Sequence, residues 1–190
     1  MLAQIIYSHQ VIANQFNKSN PEPSSGTSKS QESLSKKFMI VTADKRASLA
    51  AREVLLAGGN ALDAAIAAQN VLSVVEPQSS GLGGGGFLLF FNNIDQKVYA
   101  YDGRETSSSL VKDDMYLINN KKMQFIQAVQ KPFSVGVPGL YTMLADAHNK
   151  FGILKWEKLF TSAIDYSEGF QIGERSVSYT HLRAHETGRN

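Results

Sequence analysis

Apolar positions gather from residue 38 onward, and their spacing changes along the chain. Residues 38–42 (FMIVT) form a continuous apolar run of strand length, which predicts a short buried strand. Residues 46–57 (RASLAAREVLLA) switch to helical spacing, with Leu49, Ala50, Val54 and Leu56 near one face. Gly58 and Gly59 follow as a C-terminal cap. Asn60 then offers a side-chain oxygen to the N-terminus of a second helix over 61–74. Ala64, Ala65, Ala67 and Ala68 in that helix predict close packing against another layer, and Glu76-Pro77 stops it.

Residues 87–91 (FLLFF) are apolar at every position, which predicts a central strand covered on both faces. Residues 92–95 (NNID) supply turn chemistry, 98–101 return as the partner strand, and Asp102-Gly103 signals a turn at its end. Residues 107–131 are polar and mixed and show no period. A short strand is predicted at 135–137. A helix then runs from Pro138, which suits a first turn, to about residue 150, where Gly152 breaks it. A further amphipathic helix over 156–167 ends at Gly169. Two helices, two strands and two helices give an α+β class, a sheet covered by helix pairs, with no internal repeat.

At 190 residues the chain can bury one domain's core, and 43% hydrophobic against 19% charged residues reads as globular. A net charge of +2 gives no footprint for nucleic acid or an anionic membrane. The pairs Lys36-Lys37 and Lys121-Lys122 read as solvated surface. Without cysteine there is no disulfide, thiol nucleophile or thiolate-bound metal. No apolar stretch reaches the ~20 residues of a membrane span. Residues 1–16 are mildly apolar but lack a basic start and are interrupted at Ser8, His9 and Gln10, so an export signal is not clear. Residues 17–37 are rich in Ser, Pro and Lys. Residues 1–37 therefore read as a disordered, linker or export arm.

Five of the six residues from 81 to 86 are glycine, a run costly in chain entropy. Gly81, Gly83 and Gly86 fit G-x-G-x-x-G, with Asp102 or Glu105 downstream as the acidic residue. A dinucleotide site, however, needs a strand before the glycines and a helix after them; here a helix precedes and a strand follows. The glycines read instead as a tight helix-to-strand connection, with several residues at φ > 0 and a close backbone approach. Ser79 and Ser80 beside them can meet a ligand or simply shape the turn. Arg104 sits just past a strand end, where it is either a carboxylate clamp or an ion-paired surface residue. His9, His148, His181 and His185 form no triad with a serine, and no G-x-S-x-G is present. His181 and His185 with Glu186 do not make H-E-x-x-H, so no metal site is assigned. Trp156 and its apolar neighbours read as core.

Several separated segments resemble the γ-glutamyltranspeptidase (glutathione hydrolase) family. They are Gly58-Gly59 with 60–65 (NALDAA), 75–87 (VEPQSSGLGGGGF), 101–106 (YDGRET), Lys131-Pro132 through 137–140 (VPGL), and Glu168-Gly169-Phe170. They occur in the family's order, and the likeness covers about residues 38–175.

That resemblance implies an N-terminal-nucleophile hydrolase with a layered αββα sandwich, only partly represented here. It implies a precursor that cleaves itself into a large and a small subunit, whose nucleophile is the threonine freed at the start of the small subunit. That threonine's own α-amine can act as base, so no catalytic histidine is called for. The implied reaction moves the γ-glutamyl group of glutathione to water or an amine acceptor. The nucleophile lies beyond this chain, so no threonine here is assigned that role and the fragment alone is expected to be inactive. Arg104 matches the arginine that grips the α-carboxylate of the γ-glutamyl substrate. The implied partners are glutathione or other γ-glutamyl compounds and the small subunit. No cofactor or metal, no nucleic acid and no membrane span are implied, and the location is periplasmic or secreted. A glutaryl or cephalosporin-type acylase of the same superfamily, and a non-catalytic glutamate-binding scaffold, are the alternatives. Residues 176–190 do not resemble the family's continuation and read as the mark of a truncated gene model or as a tail of cloning or sequencing origin.

Overall fold

A computed structural model describes residues 32, 34–173 and 176–177. The chain divides into two compact units, Met1–Phe38 with Ile172–Asn190, and Met39–Gln171. The arm expected over 1–37 and the tail expected over 176–190 lie almost wholly outside the described residues, as do His9, His181 and His185.

In the second unit the elements run α1 (Lys45–Leu56), α2 (Ala61–Val75), β1 (Gly86–Asn92), β2 (Lys97–Gly103), β3 (Leu117–Ile118), β4 (Lys121–Lys122), α3 (Phe125–Val129), a 3₁₀ turn (Pro132–Ser134), α4 (Leu140–Phe151), a second 3₁₀ segment (Trp156–Phe160) and α5 (Thr161–Ser167). Helix α1 starts where Asp44 accepts from the Arg46 amide at 2.8 Å. The Arg46 guanidinium also clasps that carboxylate at 2.6 Å, and this hydrogen bond is the main cause holding the Asp44 carboxyl below its ordinary range. The helix ends at Gly58, whose φ of 92° needs a residue without Cβ. Its buried face is Ala47, Ala50, Ala51 and Val54. Leu49 and Leu56, predicted on the same face, are exposed, because the alanine stripe lets α1 lie close against α2 and leaves the longer side chains at the margin.

Helix α2 is the spine of the core. Asn60 and Asp63 close a reciprocal capping box at its start, the Asn60 side chain accepting from the Asp63 amide at 2.9 Å and the Asp63 side chain from the Asn60 amide at 3.1 Å. Leu62, Ile66, Val71 and Val75 are sealed from solvent. Ala64, Ala67 and Ala68 are buried as predicted, whereas Ala65 faces out. Leu140, Met143, Leu144 and Ala147 of α4, Leu159 and Ala163 complete this core. The predicted helix over 156–167 is a 3₁₀ segment followed by a short α-helix, with Trp156 packed against the core as expected.

Strands β1 and β2 form an antiparallel hairpin in the register Leu88↔Tyr101 and Phe90↔Tyr99. Those four side chains share the inner face, and Phe90 and Tyr99 both pack on Phe151, with ring centroids 5.1 and 4.5 Å away. The outer face carries Phe87, Leu89, Phe91 and Val98, all exposed. Of the cover predicted on both faces, the described residues contain one side: a helical layer packs on the inner face, and among them no second sheet packs on the outer one. The strand expected over residues 38–42 is corrected. Among the described residues they find no strand partner, and an apolar run becomes a strand only when a neighbour takes its backbone hydrogen bonds. At 135–137 only Val137 pairs, in a bridge to Thr106. Asp102 and Gly103, read as a turn, extend β2. Within the unassigned stretch, Asn119 and Asn120 sit at φ 51° and 60° and turn the small β3–β4 hairpin.

Gly103 brings β2 against α4. A Cβ there would stand 2.6 Å from Met143 Cβ and 3.0 Å from the Gly139 carbonyl oxygen. Neither can swing away, so Gly103→Ala is expected to destabilise the fold by about 2 kcal/mol through overpacking. Urea unfolding checks this, and an unchanged midpoint would show that α4 retreats without cost.

Candidate functional site

The candidate site lies where β2 runs out. Arg104 is the first residue past Gly103, as the strand-end reading predicted, and its amide donates to Asp102 Oδ1 at 2.9 Å. The Arg104 side chain is 69% exposed, and its Nε lies 3.4 Å from Glu105 Oε2. That ion pair occupies the Nε edge of the planar fork, and the Nη1/Nη2 edge has no protein partner among the described residues. Such an edge can take a carboxylate in two parallel hydrogen bonds, a geometry an ammonium cannot reproduce.

The backbone that follows is fixed. Thr106 N donates to the Val137 carbonyl at 3.2 Å and Val137 N to the Thr106 carbonyl at 2.8 Å. Leu140 N, at the start of α4, donates to the Gly84 carbonyl at 3.3 Å. The glycine-rich loop, the DGRET segment and the VPGL segment therefore converge on one corner. A helix precedes the loop and a strand follows it, the order that argued against a dinucleotide site.

The loop's conformation corrects one expectation. None of its glycines has positive φ; among the described glycines only Gly58 and Gly169 do. Close approach is the reason at Gly85, where a Cβ would lie 2.7 Å from the Glu105 amide nitrogen, while Gly81 and Gly83 have open space around them. Ser79 and Ser80 shape the turn that ends α2, both amides donating to the Glu76 carbonyl, at 3.0 and 2.9 Å. The Ser80 hydroxyl accepts from Gln69 Nε2 at 2.6 Å.

A second polar centre escaped the sequence reading. Asp63 is fully buried and accepts from the amides of Asn60, Ile153 and Leu154, at 3.1, 3.1 and 3.2 Å, with His148 Nε2 at 3.5 Å from its other oxygen. His148 Nε2 also meets the Leu154 carbonyl at 2.9 Å, and its ring packs edge-on to Trp156. Asn70, also buried, donates to the Leu159 carbonyl at 2.9 Å and accepts from the Tyr141 hydroxyl at 2.7 Å. These contacts bind α2 to the segments around it. Among the described residues no cluster of His, Asp and Glu is arranged to hold a metal ion, and no helix is long and apolar enough to cross a membrane.

A family model for gamma-glutamyltranspeptidase matches residues 47–187, a range that runs past residue 175. The glutathione hydrolase proenzyme of Bacillus subtilis is 39% identical over 144 residues, covering 75% of this chain and 24% of that protein. The structure superposes on the gamma-glutamyltranspeptidase of Pseudomonas nitroreducens, solved with L-DON, at a TM-score of 0.75 and 30% identity, over 82% of this chain and 46% of that one. It superposes on the cephalosporin acylase of Bacillus halodurans at 0.61 and 24% identity, over 86% and 32% of the two chains, a likeness of fold alone. The chain belongs to the gamma-glutamyltranspeptidase family. It spans about a quarter of the length of the curated relatives it matches.

Proposed function

We propose that this chain is the front of the large subunit of a γ-glutamyltransferase or glutathione hydrolase, and that Arg104 holds the α-carboxylate of the γ-glutamyl donor. The observation that carries the reading is the half-used guanidinium: Glu105 takes one edge, and the other opens to solvent at the end of a strand. A γ-glutamyl group presents a carboxylate at one end and the reacting amide at the other. An arginine fixed at a sheet terminus can therefore set the distance at which that amide is offered to a nucleophile.

The nucleophile, a threonine at the start of the small subunit, and the donors that stabilise the developing oxyanion belong to the rest of the protein. This chain alone is accordingly inert in catalysis. The hairpin's exposed outer face is the side on which the second sheet of a sandwich packs in the full-length protein. The reaction needs no cofactor, and the full-length protein works in the periplasm or outside the cell.

A second reading is an acylase acting on glutaryl side chains, because Arg104 can hold the carboxylate of that group in the same way. A glutaryl group carries a carboxylate at the same end but no α-amine. Full-length protein offered γ-glutamyl- and glutaryl-anilides is expected to release the aniline from the first and leave the second largely intact. Faster turnover of the glutaryl compound would reverse the assignment.

A further inference from the structure

Residue 139 is the N-cap of α4, a position where Ser, Thr, Asp or Asn ordinarily offers a side-chain acceptor to the first free amides. Here it is glycine, and the helix start has no side-chain cap. The residue's own backbone does not ask for glycine, since its φ of −118° lies outside the left-handed region. The demand comes from the end of β2. A Cβ on Gly139 would stand 2.5 Å from the Gly103 carbonyl oxygen, 2.8 Å from the Gly103 carbonyl carbon and 2.9 Å from the Arg104 carbonyl oxygen. All three are backbone atoms, so no side chain can rotate out of the way. Gly103 answers from the other side, where a Cβ would meet the Gly139 carbonyl oxygen at 3.0 Å. Two bare backbones therefore lie face to face, and the peptide that joins Gly103 to Arg104 rests directly on the start of α4. Helix α4 is itself seated in the core through Leu140, Met143, Leu144 and Ala147.

We infer that Gly139 is a positioning residue: by carrying no side chain it lets the 103–104 peptide settle on the start of α4, and so fixes where the Arg104 side chain begins. The inference rests on the reading of Arg104 proposed above. The backbone of Arg104 is held at both ends of the residue, its amide by Asp102 Oδ1 at 2.9 Å and its carbonyl against Gly139. A long side chain magnifies any tilt at its root. A γ-glutamyl group is gripped at its carboxylate and reacts at the opposite end, so a displaced root either weakens the grip or offers the amide from the wrong place. A misplacement of about 1 Å can cost as much as about 100-fold in rate. Helix stability is thus given up, in the missing cap, at the end of α4 that meets Arg104.

The test is made in the full-length protein. Gly139→Ala is expected to lower kcat/KM for glutathione about tenfold, the loss divided between KM and kcat. In an Arg104→Lys background the same change is expected to cost less than about twofold more, because both changes act through one side chain. Asp63→Ala is the control. It loosens the opposite end of α4, through His148 and the 153–154 amides, and is expected to leave kcat/KM of the folded enzyme within about twofold of the parent. A purely structural role for Gly139 would behave as Asp63 does, lowering the unfolding midpoint and leaving kcat/KM where it was. If Arg104→Lys lowers kcat/KM and Gly139→Ala does not, the positioning role is overturned while the arginine keeps its place. An equal loss from Gly139→Ala in both backgrounds overturns it as well. If neither Arg104→Lys nor Gly139→Ala lowers kcat/KM, both readings fall together. Should Gly139→Ala fail to fold, Gly103→Ala, which presses on the same contact from the strand side, is read by the same measurements and decides the question.

Discussion

Asp63→Ala is expected to destabilise the fold by about 3 kcal/mol, because three amides that share one carboxylate lose their acceptor together. Hydrogen bonds to a charged acceptor are the stronger kind, and this acceptor is fully buried, so water cannot readily take its place. Alanine's better helix propensity returns only about 0.5 kcal/mol, too little to reverse the sign. Against a typical total of about 5–15 kcal/mol the loss is large. Urea unfolding measures it, and Trp156, the single tryptophan, is a local reporter because its ring packs on His148 beside the altered site. Asp146→Ala, on the exposed side of α4, is the control and is expected to stay within about 0.5 kcal/mol of the parent. Equal effects at the two sites would mean that Asp63 does not hold the helix start to the 152–154 turn.

In the full-length protein, Arg104→Lys is expected to raise KM for glutathione about tenfold or more, since the lost charge-assisted pair is worth about 1.5–3 kcal/mol. Lysine keeps the charge, so long-range attraction survives; what it lacks is the planar pair of donors. The contact is with the end of the substrate that does not react, so most of the effect belongs in KM and less in kcat. An unchanged KM would remove Arg104 from the site.

Much of the helical layer was legible in the residues. Asn60 announced its cap and Gly58 the left-handed terminus of α1, because each signal acts within a few residues, whereas Pro138, read into the first turn of α4, lies outside that helix, which starts at Leu140. The hairpin was legible for a similar reason: residues 92–95 supply turn chemistry between two apolar runs. Sequence pattern failed where an element depends on a distant partner. Residues 38–42 have the composition of a strand but no strand partner among the described residues, and the apolar outer face of β1 predicts a layer that those residues do not contain. Helical spacing placed Leu49 and Leu56 inside, whereas the alanine stripe won because it permits a closer approach between helices.

At the candidate site, Arg104 was found through its motif, and its strand-end placement followed from the hairpin. The close approach of Gly85 and Gly136 to Glu105 was not legible, since the two glycines lie 51 residues apart in number and nothing local joins them. Of the two reasons read for the glycine run, positive φ is absent and close backbone approach is found at Gly85. Asp63 stood in the open as part of the capping box, but its reach to Ile153 and Leu154 spans some ninety positions.

The most direct measurement is a crystal structure of the full-length protein with glutamate bound. Both Nη atoms of Arg104 are predicted to lie about 2.8 Å from the two α-carboxylate oxygens. Glutamate held by other cations, with the Arg104 side chain turned to solvent, would contradict the role proposed for it.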